Sequence, residues 1–366
     1  MTNETNDTPF YGKREAKIIG GIAVLMMMTH HFFGFPEYLL PEIHWTPMFS
    51  IAGIEVERMF AAFGKLCVGI FAFCSGYAMW KFRPQYRSPK GILTRLSRFL
   101  LSYWVILALF LLVGYATDSQ MPTLAELLEN IVGLATGPRS VYPYINVPFA
   151  WYVSFYCLLL LLSPVLLCVF GLPHVNAPGS TPAIRALAAD VLILAALTVL
   201  FNICSSHFAR LQPVPQSLVG LLACKYQLFE RLHKAVGRRE SVVLALVVLA
   251  LVALTRQTLI LFKVPTLDLG DGVFAFLFIY SAVVVIKKAR SEIFNRLFIF
   301  LGAHSMNLWF LHGIFFTGGG ARLQAVLYFP QYAIPILIWG VIILLPVSYV
   351  CSLAQTKLSR LLHVRH

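Results

Sequence analysis

Apolar runs recur along the chain near residues 18–35, 63–80, 99–116, 149–170, 186–204, 216–229, 241–257, 271–287, 297–317 and 331–354. Most approach the roughly 20 residues that a helix rising 1.5 Å per residue needs to cross a hydrocarbon core of about 30 Å. The pattern predicts an all-α, polytopic membrane protein with about ten transmembrane helices. The sixth run, SLVGLLACKYQLF, is short and polar at its end. An even number of spans puts both termini on one side.

Composition agrees with that pattern. Hydrophobic residues make up 58% of the chain and charged residues only 12%, against roughly 25% charged in soluble globular proteins. Little length remains for a soluble domain. We expect a polar tail over 1–15, one transmembrane domain over 16–356 and a basic tail over 357–366. The first apolar run lacks a small-residue cleavage site and reads as a permanent helix. The seven cysteines contain no CxxC pair and suggest packing, not zinc or a disulfide framework.

The net charge of +13 alone would suit nucleic acid, but its distribution follows the spans. With the N-terminus inside, the inner segments hold 22 of the 29 Lys and Arg against seven acids, and the outer segments hold seven bases against nine acids. This positive-inside asymmetry predicts cytoplasmic termini and no nucleic-acid partner. Two outer stretches exceed turn length. Residues 36–62 mix acids with aromatics, and residues 117–148 join the amphipathic LAELLENIVGL to the Pro- and Tyr-rich PRSVYPYINVP. Either can lie on the membrane surface or fold back as a lid.

Ionisable residues inside apolar runs mark the candidate chemistry. MMMTHHFFGFPEYL (26–39) carries His30 and His31, the latter about 20 Å along a helix starting at Ile18. Neighbouring helical positions differ by about 100°, so the two imidazoles cannot face one pocket in the same way. A headgroup-level aromatic belt with Phe32, Phe33, Phe35 and Tyr38 is the alternative to a chemical role. Ser75-Gly76-Tyr77 offers either close helix packing or a helix break with exposed amides. RLSR sets Arg95 and Arg98 on one face, as a topology anchor or as a phosphate clamp. His304 and His312 would stand about 12 Å apart along one helix, too far for these two to share a metal. No metal is expected.

These motifs together resemble the acyltransferase-3 family of bacterial membrane acyltransferases. GIAVLMMMTHHFFGFPEYL resembles the family's first helix, GKLCVGIFAFCSGYAMWK its second and RLSR its cytoplasmic Arg-x-x-Arg motif. NVPFAWYVSFYCLLLLLSPVL, LLACKYQLFERL and LGAHSMNLWFLHGIFF follow in the family's order over about 300 residues. The family histidine falls on His31. Its basic companion eleven residues earlier falls on Gly20, a departure, with Lys17 one turn before it; Ala303 replaces another frequent basic residue.

The resemblance implies a multi-pass protein of the bacterial cytoplasmic membrane that O-acetylates a cell-surface or lipid-linked carbohydrate. It implies acetyl-CoA as donor substrate, no bound cofactor, surrounding membrane lipid and glycan-assembly proteins as partners. Arg95, Arg98, Lys81 and Lys17 would hold the donor, and neutral His31 would act as general base with His30 in support. Ser75, or amides near Gly76, would meet the oxyanion. Trp151 and Tyr152 would stack on a sugar or adenine ring, or anchor at the interface. A proton-coupled transporter or glycan exporter is the alternative, although no paired broken helices or internal symmetry are legible.

Overall fold

The computed structural model describes residues 9–51, 53–117, 122–133, 151–171, 180–205, 211–262, 264, 267–316 and 322–362. Helix α1 (Lys13–Phe33) opens with Glu15 accepting the Gly12 amide at 2.9 Å. The second apolar run extends back into residues 56–62 of the expected outer stretch and forms two helices, α2 (Val56–Gly64) and α3 (Leu66–Lys81), interrupted at Lys65. A short α4 (Arg83–Arg87) leads into α5 (Pro89–Ala116), whose first turn is capped by the Ser88 hydroxyl. Helices α6 (Leu124–Val132), α7 (Trp151–Val169), α8 (Ser180–Ser205), α9 (Val214–Lys225) and α10 (Leu228–Val236) follow. The chain continues through α11 (Val242–Leu261), α12 (Leu267–Ala289), α13 (Glu292–Ala303) and α14 (Ser305–Leu311), which runs into a 3-10 turn, His312–Phe316. Helices α15 (Gln324–Leu327) and α16 (Ala333–Leu361) complete the order.

Among the described residues, eight helical segments are long and apolar enough to cross a membrane, nine if α13 and α14 count as one span bent by 60°. The predicted sixth run accounts for the difference from ten. It divides at Gln227, whose φ of 51° ends α9 after 12 residues. Twelve residues reach only about 18 Å, well short of about 30 Å. Helix α9 is nevertheless buried along most of its length, against α3. A Cβ on Gly76 would lie 1.6 Å from the Ser217 carbonyl oxygen, and one on Gly220 would lie 2.0 Å from that of Phe73. The small residues of this part of α3 therefore serve close helix packing.

Two further departures concern the outer segments. The stretch before α2 contains a pair of two-residue antiparallel strands, Ser50–Ile51 and Ile54–Glu55. Helix α6 is capped by Thr123 and Glu126, and it meets α5 at the middle of that helix. Tyr103 donates to Asn130 Oδ1 at 3.1 Å and Trp104 Nε1 donates to the Ile131 carbonyl at 2.7 Å. Of the two placements open to this stretch, α6 takes the one folded back onto the bundle. The Pro- and Tyr-rich run after it lies outside the described residues.

The interruption at Lys65 releases carbonyls that no helical amide receives, and buried carbonyls in apolar surroundings need donors. His30 Nδ1 donates to the Ala61 carbonyl at 2.7 Å, and Arg256 Nη1 donates to the Ala62 carbonyl at 2.9 Å. Arg256 is wholly buried, and Asp271 neutralises it through bonds of 2.8 and 3.0 Å. Four elements, α1, α2, α11 and α12, are joined at this point. Arg256→Met takes the guanidinium from the Asp271 carboxylate and the donor from the Ala62 carbonyl, and should reduce unfolding free energy by about 3–5 kcal/mol. The double variant Arg256→Met/Asp271→Leu strands no charge and should lose markedly less. Denaturant unfolding of the purified chain in micelles checks this, and equal losses would show that the ion pair is not the constraint.

Candidate active site

The last turn of α1 places His30 and His31 beside the turn that follows α14. His31 is 9% exposed and His312 is fully buried. His31 Nδ1 lies 3.1 Å from His312 Nε2 and 3.1 Å from the Met27 carbonyl oxygen. His312 Nδ1 lies 3.3 Å from the Leu308 carbonyl oxygen. Carbonyl oxygens only accept, so this chain of contacts sets the tautomers. His312 Nδ1 carries a proton toward Leu308, and its Nε2 accepts from His31 Nδ1–H. The lone pair of His31 is thereby placed on Nε2.

His30 obeys the same rule on a separate anchor. Its Nδ1–H is committed to Ala61, which ties the ring to α2. Although the two side chains leave α1 in different directions, their rings stand 4.9 Å apart and both meet Phe35, at 4.9 and 5.7 Å. Phe35 stacks on Tyr38 at 5.0 Å. The buried Gln324 amide fixes this corner by binding the Tyr38 carbonyl and the Leu40 amide, at 2.8 and 2.9 Å. Farther along, Trp45 packs on Phe33, and Arg58 lies over Trp45 while paired with Glu55. Aromatic faces thus border the histidines on this side.

On the other side, an aromatic column descends toward the basic end of α5. Trp309 lies one turn before His312 and packs on Phe71 and Tyr152, at 5.3 and 5.0 Å. The Ser75 hydroxyl donates to the Phe71 carbonyl at 2.9 Å and is hydrogen-bonded to the Tyr152 phenol. Trp151 stands edge-on to Tyr152 at 5.8 Å. One turn along α7, Tyr156 packs on Phe99 at 4.5 Å and shares a hydrogen bond with Tyr86. Arg95 lies over the Tyr86 ring at 4.2 Å and donates to Gln85. Arg98, one turn on, is half-buried, and its Nε has no hydrogen-bond partner among the described residues.

The candidate residues therefore fall into two groups joined by this column. His30 and His31 meet at one end, Arg95 and Arg98 share the first turns of α5 at the other, and Tyr152, Trp151 and Ser75 lie between. Ser75 directs its hydroxyl to Phe71 and Tyr152, not to the histidines. Lys81 is exposed at the end of α3, and Lys17 is exposed on α1 with its backbone carbonyl against Gly302. Gly20 faces Ser305 and Gly302 at the bend between α13 and α14.

The residue that sequence spacing did not assign is His312, 281 positions from its partner. Its one visible signal was an imidazole inside an apolar run. Arg256 and Asp271 gave a comparable signal, each a charge at the edge of an apolar run.

The model of a family described as an acyltransferase domain, acyltransferase-3, matches residues 18–354. No curated protein and no solved structure matches the chain.

The tautomer assignment is open to direct measurement. In ¹⁵N-histidine spectra of the purified chain, Nδ1 of His31 should be protonated and Nε2 should be the pyridine-like nitrogen. His312→Leu should shift the His31 resonances and leave His30, anchored on Ala61, nearly unchanged. A His31 signal with the proton on Nε2 would overturn the assignment.

Proposed function

The chain belongs to the acyltransferase-3 family, and from that premise we propose that it moves an acetyl group from cytoplasmic acetyl-CoA to a hydroxyl of a cell-surface or lipid-linked carbohydrate. The observation that carries this reading is the His31–His312 pair in a buried site, which supports His31 Nε2 as the base. In the proposed orientation both termini and the RLSR motif face the cytoplasm of a bacterial inner membrane, as the distribution of Lys and Arg favours.

Arg95 and Arg98 take the phosphates of the donor, assisted by Lys81 and Lys17 from neighbouring elements. Arg98 Nε, without a hydrogen-bond partner among the described residues, supports this assignment. The acyl-bearing arm follows the column from Tyr86 through Tyr156 and Tyr152 to Trp309, which ends one turn from His312. Aromatic faces near Phe35 and Tyr38 receive the sugar ring from the opposite side. Trp151 and Tyr152 line the path where donor and acceptor meet.

His31 Nε2 removes the acceptor hydroxyl proton as the oxygen attacks the thioester carbonyl, forming the C–O bond. The resulting imidazolium keeps its Nδ1–H directed at His312 Nε2, a charge-assisted bond that strengthens as the proton arrives. Ser75 is the hydroxyl candidate for the oxyanion, and it must turn from Phe71 to serve. Collapse of the tetrahedral intermediate breaks the C–S bond, and the departing thiolate recovers the proton from His31. His30 holds the turn of α1 that carries His31 in place. Glycan-assembly proteins would deliver the acceptor and remove the product.

Purified protein supplied with radiolabelled acetyl-CoA and candidate glycans tests this reading. His31→Ala should lower transfer by about 10²- to 10⁴-fold. His312→Phe removes one bond to a charged group and should lower kcat by roughly 10- to 150-fold with a smaller change in KM. Arg98→Gln should raise KM for acetyl-CoA with little change in kcat. Undiminished transfer by His31→Ala would remove the mechanism, and saturable glycan transport without acetylation would replace the reading with that of an exporter.

A further inference from the structure

A cleft of about 620 Å³ opens where the first turns of α1 and α13 meet the end of α12. Four cations border it, Lys13, Arg14, Lys287 and Arg290, against two carboxylates, Glu15 and Glu292. Both carboxylates are engaged locally. Glu15 accepts the Gly12 amide at 2.9 Å, and Glu292 pairs with Arg14 at 3.3 Å. Lys287 lies over the Phe10 ring and reaches the Pro9 carbonyl at 3.5 Å. Lys13 and Arg290 are exposed and make no ion pair among the described residues.

A second observation points to a ligand. Asn295 lines the cleft and is 4% exposed, yet its side-chain amide makes no hydrogen bond to any described residue. Most buried polar groups are satisfied by protein, water or ligand. The amide donates on one side and accepts on the other, so it suits an oxygen-rich anion. The positive ends of two helix dipoles, α1 and α13, converge on the same space. Basic clefts between membrane helices at this boundary suit phosphate headgroups.

We propose that this cleft binds a phosphate-bearing anion, with Lys13 and Arg290 on the phosphate oxygens and the Asn295 amide on an adjacent oxygen. The site is separate from the histidine pair and does not rest on the acyl-transfer reading. Two sources share this chemistry, the headgroup of an anionic lipid and a soluble phosphate compound.

Full-length protein in micelles is titrated with phosphatidylglycerol, with phosphatidylcholine, or with inorganic pyrophosphate, and binding is read by native mass spectrometry and by the shift in melting temperature. Saturable binding of phosphatidylglycerol over phosphatidylcholine, resistant to pyrophosphate, is the expected result and identifies the lipid source; saturable pyrophosphate binding identifies the soluble one. The double variant Lys13→Gln/Arg290→Gln should weaken the bound species roughly thirtyfold. Asn295→Leu, which leaves charge unchanged, should weaken it severalfold, once its unliganded melting shows a folded chain. Lys357→Gln/Arg360→Gln removes the same charge from the C-terminal tail and should have little effect. The proposal is overturned if the tail variant weakens binding as much as the cleft variant, or if no probe binds saturably.

Discussion

A helix interrupted within an apolar bundle leaves carbonyls that neither water nor the next turn can satisfy, and much of this molecule is arranged around that constraint. At Lys65 the two carbonyls released by α2 are taken by His30 and Arg256. An arginine without exposure is tolerable only when neutralised, so Asp271 must accompany it. The packing of α11 and α12 beside the first three helices then follows. At the second interruption, His304 turns its ring to the Ser348 hydroxyl at 2.8 Å, while Asn307 reaches the Ser348 carbonyl and the side chains of Ser352 and Gln355. At the first place polar side chains inside spans serve the backbone, and at the second they tie the bend to α16.

That priority clarifies how two adjacent histidines differ. His30 is committed to a carbonyl on α2, which makes it a fastening of α1. The Nδ1–H of His31 is shared between the Met27 carbonyl and another imidazole, which can respond electrically when a proton arrives. The difference lies in what each Nδ1–H meets, since both rings touch Phe35. A hydrogen bond to a fixed carbonyl and one to a polarisable ring are similar in length here, 2.7 and 3.1 Å, yet only the second links the base to another titratable group.

Much of this architecture was legible in the chain. The apolar runs and the bias of Lys and Arg pointed to a polytopic bundle, and the amphipathic LAELLENIVGL holds α6. The sixth run misled because hydropathy counts apolar residues and not length between interruptions. Pro213, Pro215 and the left-handed Gln227 confine it to a short buried helix. The adjacency of His31 and His312 was not legible, since it depends on the bend at His304 and on how closely α13 approaches α1. Helical spacing within one segment said nothing of partners on other segments.

The approach of α13 to α1 has a small margin, and glycines set it. A Cβ on Gly302 would stand 1.9 Å from the Lys17 carbonyl oxygen, and one on Gly21 would stand 2.2 Å from that of Phe298. Either must move a backbone by more than an ångström to reach ordinary van der Waals contact, roughly 3.4 Å or more. The His31–His312 bond is 3.1 Å long and lies beyond the bend that this crossing positions. An outward movement of that size at the crossing takes the bond past hydrogen-bonding range. Gly20 belongs to the same surface, facing Ser305 and Gly302. The position where the family resemblance places a basic side chain borders this crossing at ordinary van der Waals distance, 3.8 and 3.9 Å from an added Cβ, and the tight crossing of α1 with α13 is what brings the second histidine to the first.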